Sequence, residues 1–441
     1  MAESQATLSS VAAKVTELTA ELTKYLADNK LPEPTLGADS ATHFPTLAPE
    51  MFMQRQHLVD AIQDLWILVQ GPSESVFNYV HTAAPDVGAL NVLNYFDFWS
   101  AVPLDGDASY AEIAERVQLP QVVVTRVLQH STNLRYFAET EPGKLTTRIK
   151  HTSRSAAVAK SEGLRALVQA VLDDAGAPTV VLNEALEKYS RGKKELTKKQ
   201  EESAFALLHS GGLYQGHKHY FDYQESGDGW RSRSYTKFMG YLKEIFHLED
   251  LVLKLKDWEA EGAAHIVDVG GSAGHDAVVL TRAFPALTIT VQDLPNVAPR
   301  FHATVPADLL PRITFIPHNF LTPQPVHGAD IYLFKMILHD WSDGDAAAIF
   351  RNLVPALKPG ARVVLLEYIG NRGETDSALP LSVRQWGTAT DLRLLALFNG
   401  REREVGEWEG LFRAADERFE VAGTRTTEDG FFAVVEAVWK G

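Results

Sequence analysis

The stretch FKMILHDWSD, Phe334 to Asp343, follows a run of apolar residues and sets a histidine, two aspartates and a tryptophan where a buried strand ends. In an α/β sheet the carboxyl ends of the strands are where ligands bind, so His339 stands at a place for chemistry. A second stretch, DVGGSAGHD from Asp268 to Asp276, joins a strand to a helix through Gly270, Gly271 and Gly274. Such glycines let the backbone turn sharply and let a ligand approach main-chain N–H groups, and a purely structural turn explains them nearly as well. The spacing is not that of the dinucleotide fingerprint, and there is no P-loop lysine. The next strand ends in VQDLP, putting Asp293 about one βα unit downstream, where a carboxylate can accept both hydroxyls of a ribose. Together these point to a nucleoside that needs no phosphate chain. The third strand ends in PHNF, where Asn319 can read an adenine edge and Phe320 can lie against the base; a core aromatic followed by a surface amide is the alternative.

The elements that must position these residues are legible as an alternation. The runs HIVDVG, LTITVQD, ITFIPHN, DIYLFKM and RVVLLEYI interleave with helix-like segments such as HDAVVLTRAF and GDAAAIFRNLVPAL. That is the pattern of a parallel sheet with covering helices, a doubly wound α/β domain. FEVAGTRT and GFFAVVEAVW, around the turn TEDG, close the chain with two further β-rich runs.

Upstream the pattern is helical. Leu8, Val11, Val15, Leu18, Leu22 and Tyr25 form one stripe of an N-terminal helix, which packs either on its own domain or on a second subunit. A Pro-rich stretch from Pro32 to Pro49 reads as a linker. Further on, Ser109 and Glu112 form a capping box, Pro120 opens a second helix, and RYFAETEPGKLTT reads as a hairpin turning at Pro142-Gly143. Helix, turn, helix, hairpin is a winged-helix order, but Arg126 is the one cation its second helix supplies, which favours a packing scaffold over DNA recognition. The segment RGKKELTKKQEE reads as a solvated helix face.

Bulk properties agree. A chain of 441 residues exceeds one ordinary domain of about 100 to 200 residues, so two or three are expected. With 42 Lys and Arg against 57 Asp and Glu the formal charge is −15, which repels a phosphate backbone. There is no cysteine, which excludes disulfides and thiolate metal sites and fits a reducing compartment. No run reaches the roughly 18 apolar residues of a membrane span, and the N-terminus lacks a basic region followed by an apolar core. The expectation is a cytoplasmic protein with a small-molecule substrate, no nucleic acid, no membrane and no metal.

DVGGSAG, QDLPNV, FKMILHDWSD, LKPGARVVLLEYI and DLRLLALFNGRERE occur in an order and spacing that resemble the S-adenosylmethionine-dependent O-methyltransferases of the plant caffeate and fungal secondary-metabolite type. The resemblance covers nearly the whole chain. It implies a Rossmann-like class I methyltransferase domain over residues 261–441, preceded by an N-terminal helix and linker (1–48), a winged-helix dimerisation domain (49–160) and a helical connection contributing to the substrate pocket (161–260). It implies S-adenosyl-L-methionine as cofactor, a homodimer, and methylation of a phenolic or enolic hydroxyl of a small secondary metabolite. By position, Asp293 matches the acid on the cofactor ribose, Gly270 the loop beside the methionine moiety, and Asn319, Phe320 and Lys335 the lining of the adenosine. His339 matches the general base, and Glu367 and Glu402 the acids that flank it. Methyl transfer from a sulfonium is an in-line displacement in which the acceptor hydroxyl loses its proton, and an imidazole oriented by two carboxylates suits that task. Asp340 and Trp341 read as orientation and packing groups.

The sequence departs from the family where Ser272 and Ala273 stand in a loop that usually reads DVGGGTG, and where Asn319 replaces the usual acid. Some fungal enzymes that resemble this family keep the cofactor site but direct dehydration or pericyclic ring formation. In that alternative Lys335 or His151 would donate to a substrate carbonyl; His151, just after the wing, could equally cap a helix.

Overall fold

The computed structural model describes residues 6–210, 216–245, 248–368, 379–404, 406–427 and 432–441. Two units form: Met1–Ala177 with Gln224–Tyr241 and Leu379–Arg384, and Pro178–Tyr223 with Leu242–Ala378 and Gln385–Gly441.

In the first unit, Thr7 and Ser10 cap the helix Leu8–Asp28 reciprocally; Val11, Leu18 and Leu26 are its buried residues, and it packs against the helix Pro49–Gln70. The expected box of Ser109 and Glu112 opens the helix Tyr110–Val117: Glu112 N–H donates to the Ser109 hydroxyl at 3.2 Å and Ser109 N–H to the Glu112 carboxylate at 2.7 Å. The helix Gln121–Asn133 follows. Three short antiparallel strands, β1 (Asp107–Ala108), β2 (Phe137–Glu139) and β3 (Ile149–His151), pair in the order β1-β3-β2. The hairpin turns at Pro142-Gly143, closed by Lys144 N–H to the Glu141 carbonyl with Gly143 at φ +79°. A second turn, Thr147 N–H to the Lys144 carbonyl, delays the return strand to Ile149, beyond the end read from KLTT. Phe98, Trp99, Ile113, Val124, Leu128, Phe137 and Ile149 fill the core beneath.

The second unit is built on a seven-stranded sheet in the order β6-β5-β4-β7-β8-β10-β9. Five parallel strands, β4 (His265–Val269), β5 (Thr288–Asp293), β6 (Ile313–Pro317), β7 (Ile331–Lys335) and β8 (Arg362–Tyr368), are those expected from the alternation. The sheet is mixed, however, because β9 (Phe419–Thr426) and β10 (Phe432–Trp439) join antiparallel, β10 inserting between β8 and β9. A short connection permits only an antiparallel return. Most of the TEDG turn lies outside the described residues.

Side chains alternate across the sheet and sort into two cores. Ile266, Leu333, Val364 and Leu366 lie in one, and Val267, Val269, Tyr332, Phe334, Val363 and Leu365 in the other. Both faces are covered, which is why these strands read as continuous apolar runs. The same parity assigns each polar residue its side: Asp268 and Lys335 share the face of Leu333, Glu367 that of Leu365. Among the described residues no helix is long and apolar enough to cross a membrane.

Candidate active site

The turn after β4 is shaped by close approach. Gly270 has φ +75°, and a β-carbon there would lie 2.6 Å from Ile337 Cδ1. A β-carbon on Gly271 would meet an Asp268 carboxylate oxygen, so the glycines serve packing as well as access. Ser272 takes a left-handed φ of 52°, and its N–H donates to Asp293 Oδ2 at 2.9 Å while Leu294 N–H donates to Oδ1 at 2.7 Å. Asp293 thus ends β5 beside the glycine turn. Burial raises its pKa, against the pull of the two N–H groups.

Asp268 lies beneath the turn, 3% exposed, with its Oδ2 buried and without a hydrogen-bond partner. Burial, aided by Asp276, pushes its pKa up to about 7. Lys335, at the end of β7 on the same face, pairs with Asp276 at 2.8 Å in the first turn of the helix His275–Ala283; Lys243 approaches the other oxygen at 3.9 Å. The two lysines hold Asp276 below its ordinary value although burial opposes them.

Asn319 is exposed, and its side chain accepts from Leu321 N–H at 3.0 Å. Phe320 is half-buried; its ring meets Trp341 edge-on at 5.5 Å, and a β-carbon on Gly270 would reach it at 3.9 Å. The ends of β4, β6 and β7 therefore converge through Gly270, Phe320, Ile337 and Trp341.

His339 lies on the single helical turn Leu338–Asp340 that follows β7. Its Nδ1 is 2.9 Å from Glu402 Oε1, and its Nε2 is 3.7 Å from Asp340 Oδ1. Burial alone would lower the imidazole pKa, but Glu402 and Asp340, with Glu367 behind them, overrule it and raise it from 6.5 to about 10. Burial raises Asp340 to about 6, with His339 pulling the other way. Glu367 is fully buried: its Oε1 accepts the N–H groups of Ile337 at 3.1 Å and Leu338 at 2.7 Å, and its Oε2 has no partner. Burial lifts Glu367 to about 7 despite His339 and these donors. Glu402 thus meets the imidazole directly, whereas Glu367 holds the backbone that leads into it. His151 belongs to the first unit and is buried there, with Nε2 on the Val102 carbonyl at 2.9 Å and Nδ1 on the Ser155 hydroxyl at 2.8 Å. Burial lowers its pKa, so the neutral ring donates to the carbonyl and accepts from the serine.

Sequence reasoning missed the groups that hold the site together. Asp391 accepts Glu402 N–H at 2.8 Å, Arg401 N–H donates to the His339 carbonyl at 3.1 Å, and the buried Arg403 donates to the Leu338 and Trp341 carbonyls. The signal lay in NGRERE, whose alternating charges imply opposite directions along the segment without saying which sign turns inward.

The parts present fit a methyl-donor nucleoside: a carboxylate at the end of β5 beside the glycine turn, a turn packed too closely for side chains, and an orphaned acid beneath it. Comparison with known proteins points the same way. Residues 216–417 match the model of the O-methyltransferase domain. The chain is 40% identical over 436 residues to the O-methyltransferase lcsG of Purpureocillium lilacinum, covering 97% of this chain and 92% of that one. It is 31% identical over 434 residues to a chlorophenol O-methyltransferase of Trichoderma longibrachiatum, covering 96% and 88%. The solved structure of OxaC in complex with SAH and oxaline superposes with a TM-score of 0.74 at 20% identity, covering 98% and 99%, which establishes a shared fold. Kinship over nearly the full length therefore makes this chain a member of the S-adenosylmethionine-dependent O-methyltransferase family.

Proposed function

We propose that the protein methylates a phenolic or enolic hydroxyl of a small secondary metabolite, with His339 as general base, Glu402 orienting it and Glu367 fixing the backbone ahead of it. The observation that carries this reading is the 2.9 Å contact of His339 Nδ1 with Glu402, which leaves Nε2 to take the proton. The carboxylate at Nδ1 raises the basicity of the imidazole, which helps it take the proton of a phenolic or enolic hydroxyl. The chlorophenol enzyme among the relatives agrees with a phenolic acceptor.

S-adenosylmethionine, when bound, supplies an electrophilic methyl group on a sulfonium. Asp293 would hold the ribose hydroxyls, the turn at Gly270 would flank the methionine moiety, and Asn319, Phe320 and Lys335 would line the adenosine. His339 accepts the proton from the attacking hydroxyl, and Glu402 stabilises the imidazolium that results. In the rival reading, ring formation without methyl transfer, His151 or Lys335 would donate to a substrate carbonyl; both nitrogens of His151 are engaged within the first unit.

In His339→Ala, turnover should fall about 100- to 10,000-fold, the usual worth of a general base, while calorimetry still detects cofactor binding. Mass spectrometry of the wild-type reaction should find a product one methyl heavier and the demethylated cofactor. An isomerised product with the cofactor unconsumed supports the rival.

The segments 1–48, 49–160, 161–260 and 261–441 are read as N-terminal helix and linker, winged-helix dimerisation domain, helical connection contributing to the substrate pocket, and S-adenosylmethionine-binding catalytic domain. A dimer is supported by the helices Pro49–Gln70 and Pro72–Tyr95, which expose Trp66 at 67%, Phe77 at 63%, Tyr79 at 74% and Val80 at 71%. Sedimentation should give twice the chain mass, and F77E with V80E should reduce it to one.

A further inference from the structure

The guanidinium of Arg403 is 0% exposed, although burying a cation is costly unless its donors are satisfied. Its Nη1 donates to the Leu338 carbonyl at 2.7 Å, its Nη2 to the Trp341 carbonyl at 2.6 Å and its Nε to Asp343 Oδ1 at 2.9 Å, and it lies 5.2 Å from the Trp408 ring. The two carbonyls bracket the turn that carries His339. Glu402, the residue next to Arg403, grips the imidazole of that same turn. One segment of chain thus fixes both the backbone and the ring of the histidine, and a planar fork of donors can span two carbonyls in a way a lysine cannot.

We propose that Arg403 is a positioning residue for the reaction, setting the turn Leu338–Trp341 so that the His339 ring meets Glu402 and presents its other nitrogen to substrate. The inference rests on the reading of His339 as base. Arg403 touches neither the imidazole nor, in this scheme, the substrate; it acts through the backbone.

The test is Arg403→Lys, which keeps the charge and loses the fork, examined by NMR of labelled histidine with the His339 signal assigned by its loss in H339A. The groups that face the ring are Glu402, Asp340 and Glu367, all retained in this variant. The expected result is a fall of the His339 titration by a unit or more toward 6.5, a drop in kcat of at least tenfold, and a cofactor Kd within twofold of wild type. A folded R403K whose His339 titrates as in wild type overturns the proposal, whatever its melting temperature. Should R403K not fold, Asp343→Ala frees one edge of the guanidinium and leaves both carbonyl bonds; a smaller shift in the same direction supports the proposal, and an unmoved titration overturns it. The NMR readout does not depend on turnover, so an active H339A would remove the base while leaving the positioning of the ring separately measured.

Discussion

Gly400 lies against the backbone of His339: a β-carbon built on it would fall 2.5 Å from the His339 carbonyl oxygen and 3.0 Å from the Asp340 carbonyl carbon. Both neighbours are main chain, so neither can swing aside. Gly400→Ala should push the segment bearing Glu402 away from the turn, lowering kcat about tenfold or more and stability by about 1–3 kcal/mol, the usual cost of overpacking. Steady-state kinetics and denaturant unfolding measure the two effects; wild-type values in both would mean that the segment can shift at no cost.

The raised pKa of His339 fixes the sign of a pH dependence. The neutral ring is the competent base, so kcat should climb with pH along a limb set by the bound enzyme. Removing the charge of Glu402 takes away the first force that opposes burial, and Glu402→Gln should move that limb to lower pH while reducing its plateau. The linkage to stability runs the other way. A histidine raised from 6.5 to about 10 stabilises the fold fully below 6.5 and loses that contribution as pH rises through about 10. Asp340 and Glu367, raised by burial to about 6 and about 7, have given up their contributions once the pH has risen through those values, so between about 8 and about 10 the histidine is the member of this cluster that still titrates. Melting curves of wild type and E402Q should converge across that interval. Parallel curves would remove Glu402 as the source of the shift.

Asp293 carries the prediction for the cofactor. Asp293→Asn keeps one acceptor and loses the charge, and hydrogen bonds to a charged group contribute about 1.5–3 kcal/mol. The Kd for S-adenosylmethionine should therefore rise by about 10- to 100-fold in calorimetry, with kcat at saturating cofactor within about threefold of wild type. An unchanged Kd would take the ribose away from this carboxylate.

The parallel strands were legible because both faces of the sheet are covered, which leaves continuous apolar runs such as Ile331–Phe334, and because Gly270 and Asp293 terminate theirs. The capping box at Ser109 and the turn at Pro142-Gly143 were legible because each is settled within four residues. The antiparallel arrival of β10 was not, since pairing with β8 bridges more than sixty residues of chain. His339 was readable from its place after β7, whereas Glu402 as its neighbour was implied by the family resemblance alone, because the contact closes only in the tertiary fold. Glu367 and Lys335 show the remaining limit: residue type gives a charge, but strand parity decides which face it occupies and so whether it meets a backbone amide or an aspartate.

Consecutive residues at 402 and 403 send an acid to the imidazole and a guanidinium to the turn behind it, so this stretch of chain is intolerant of changes in length. Deleting one residue ahead of Glu402 would deliver a cation to the imidazole and hand the buried carbonyls a carboxylate that cannot donate to them. Natural variants that gain or lose residues should do so elsewhere, for instance in the solvated hairpin at Pro142-Gly143, and the spacing from Gly400 to Arg403 should stay fixed wherever the chemistry survives.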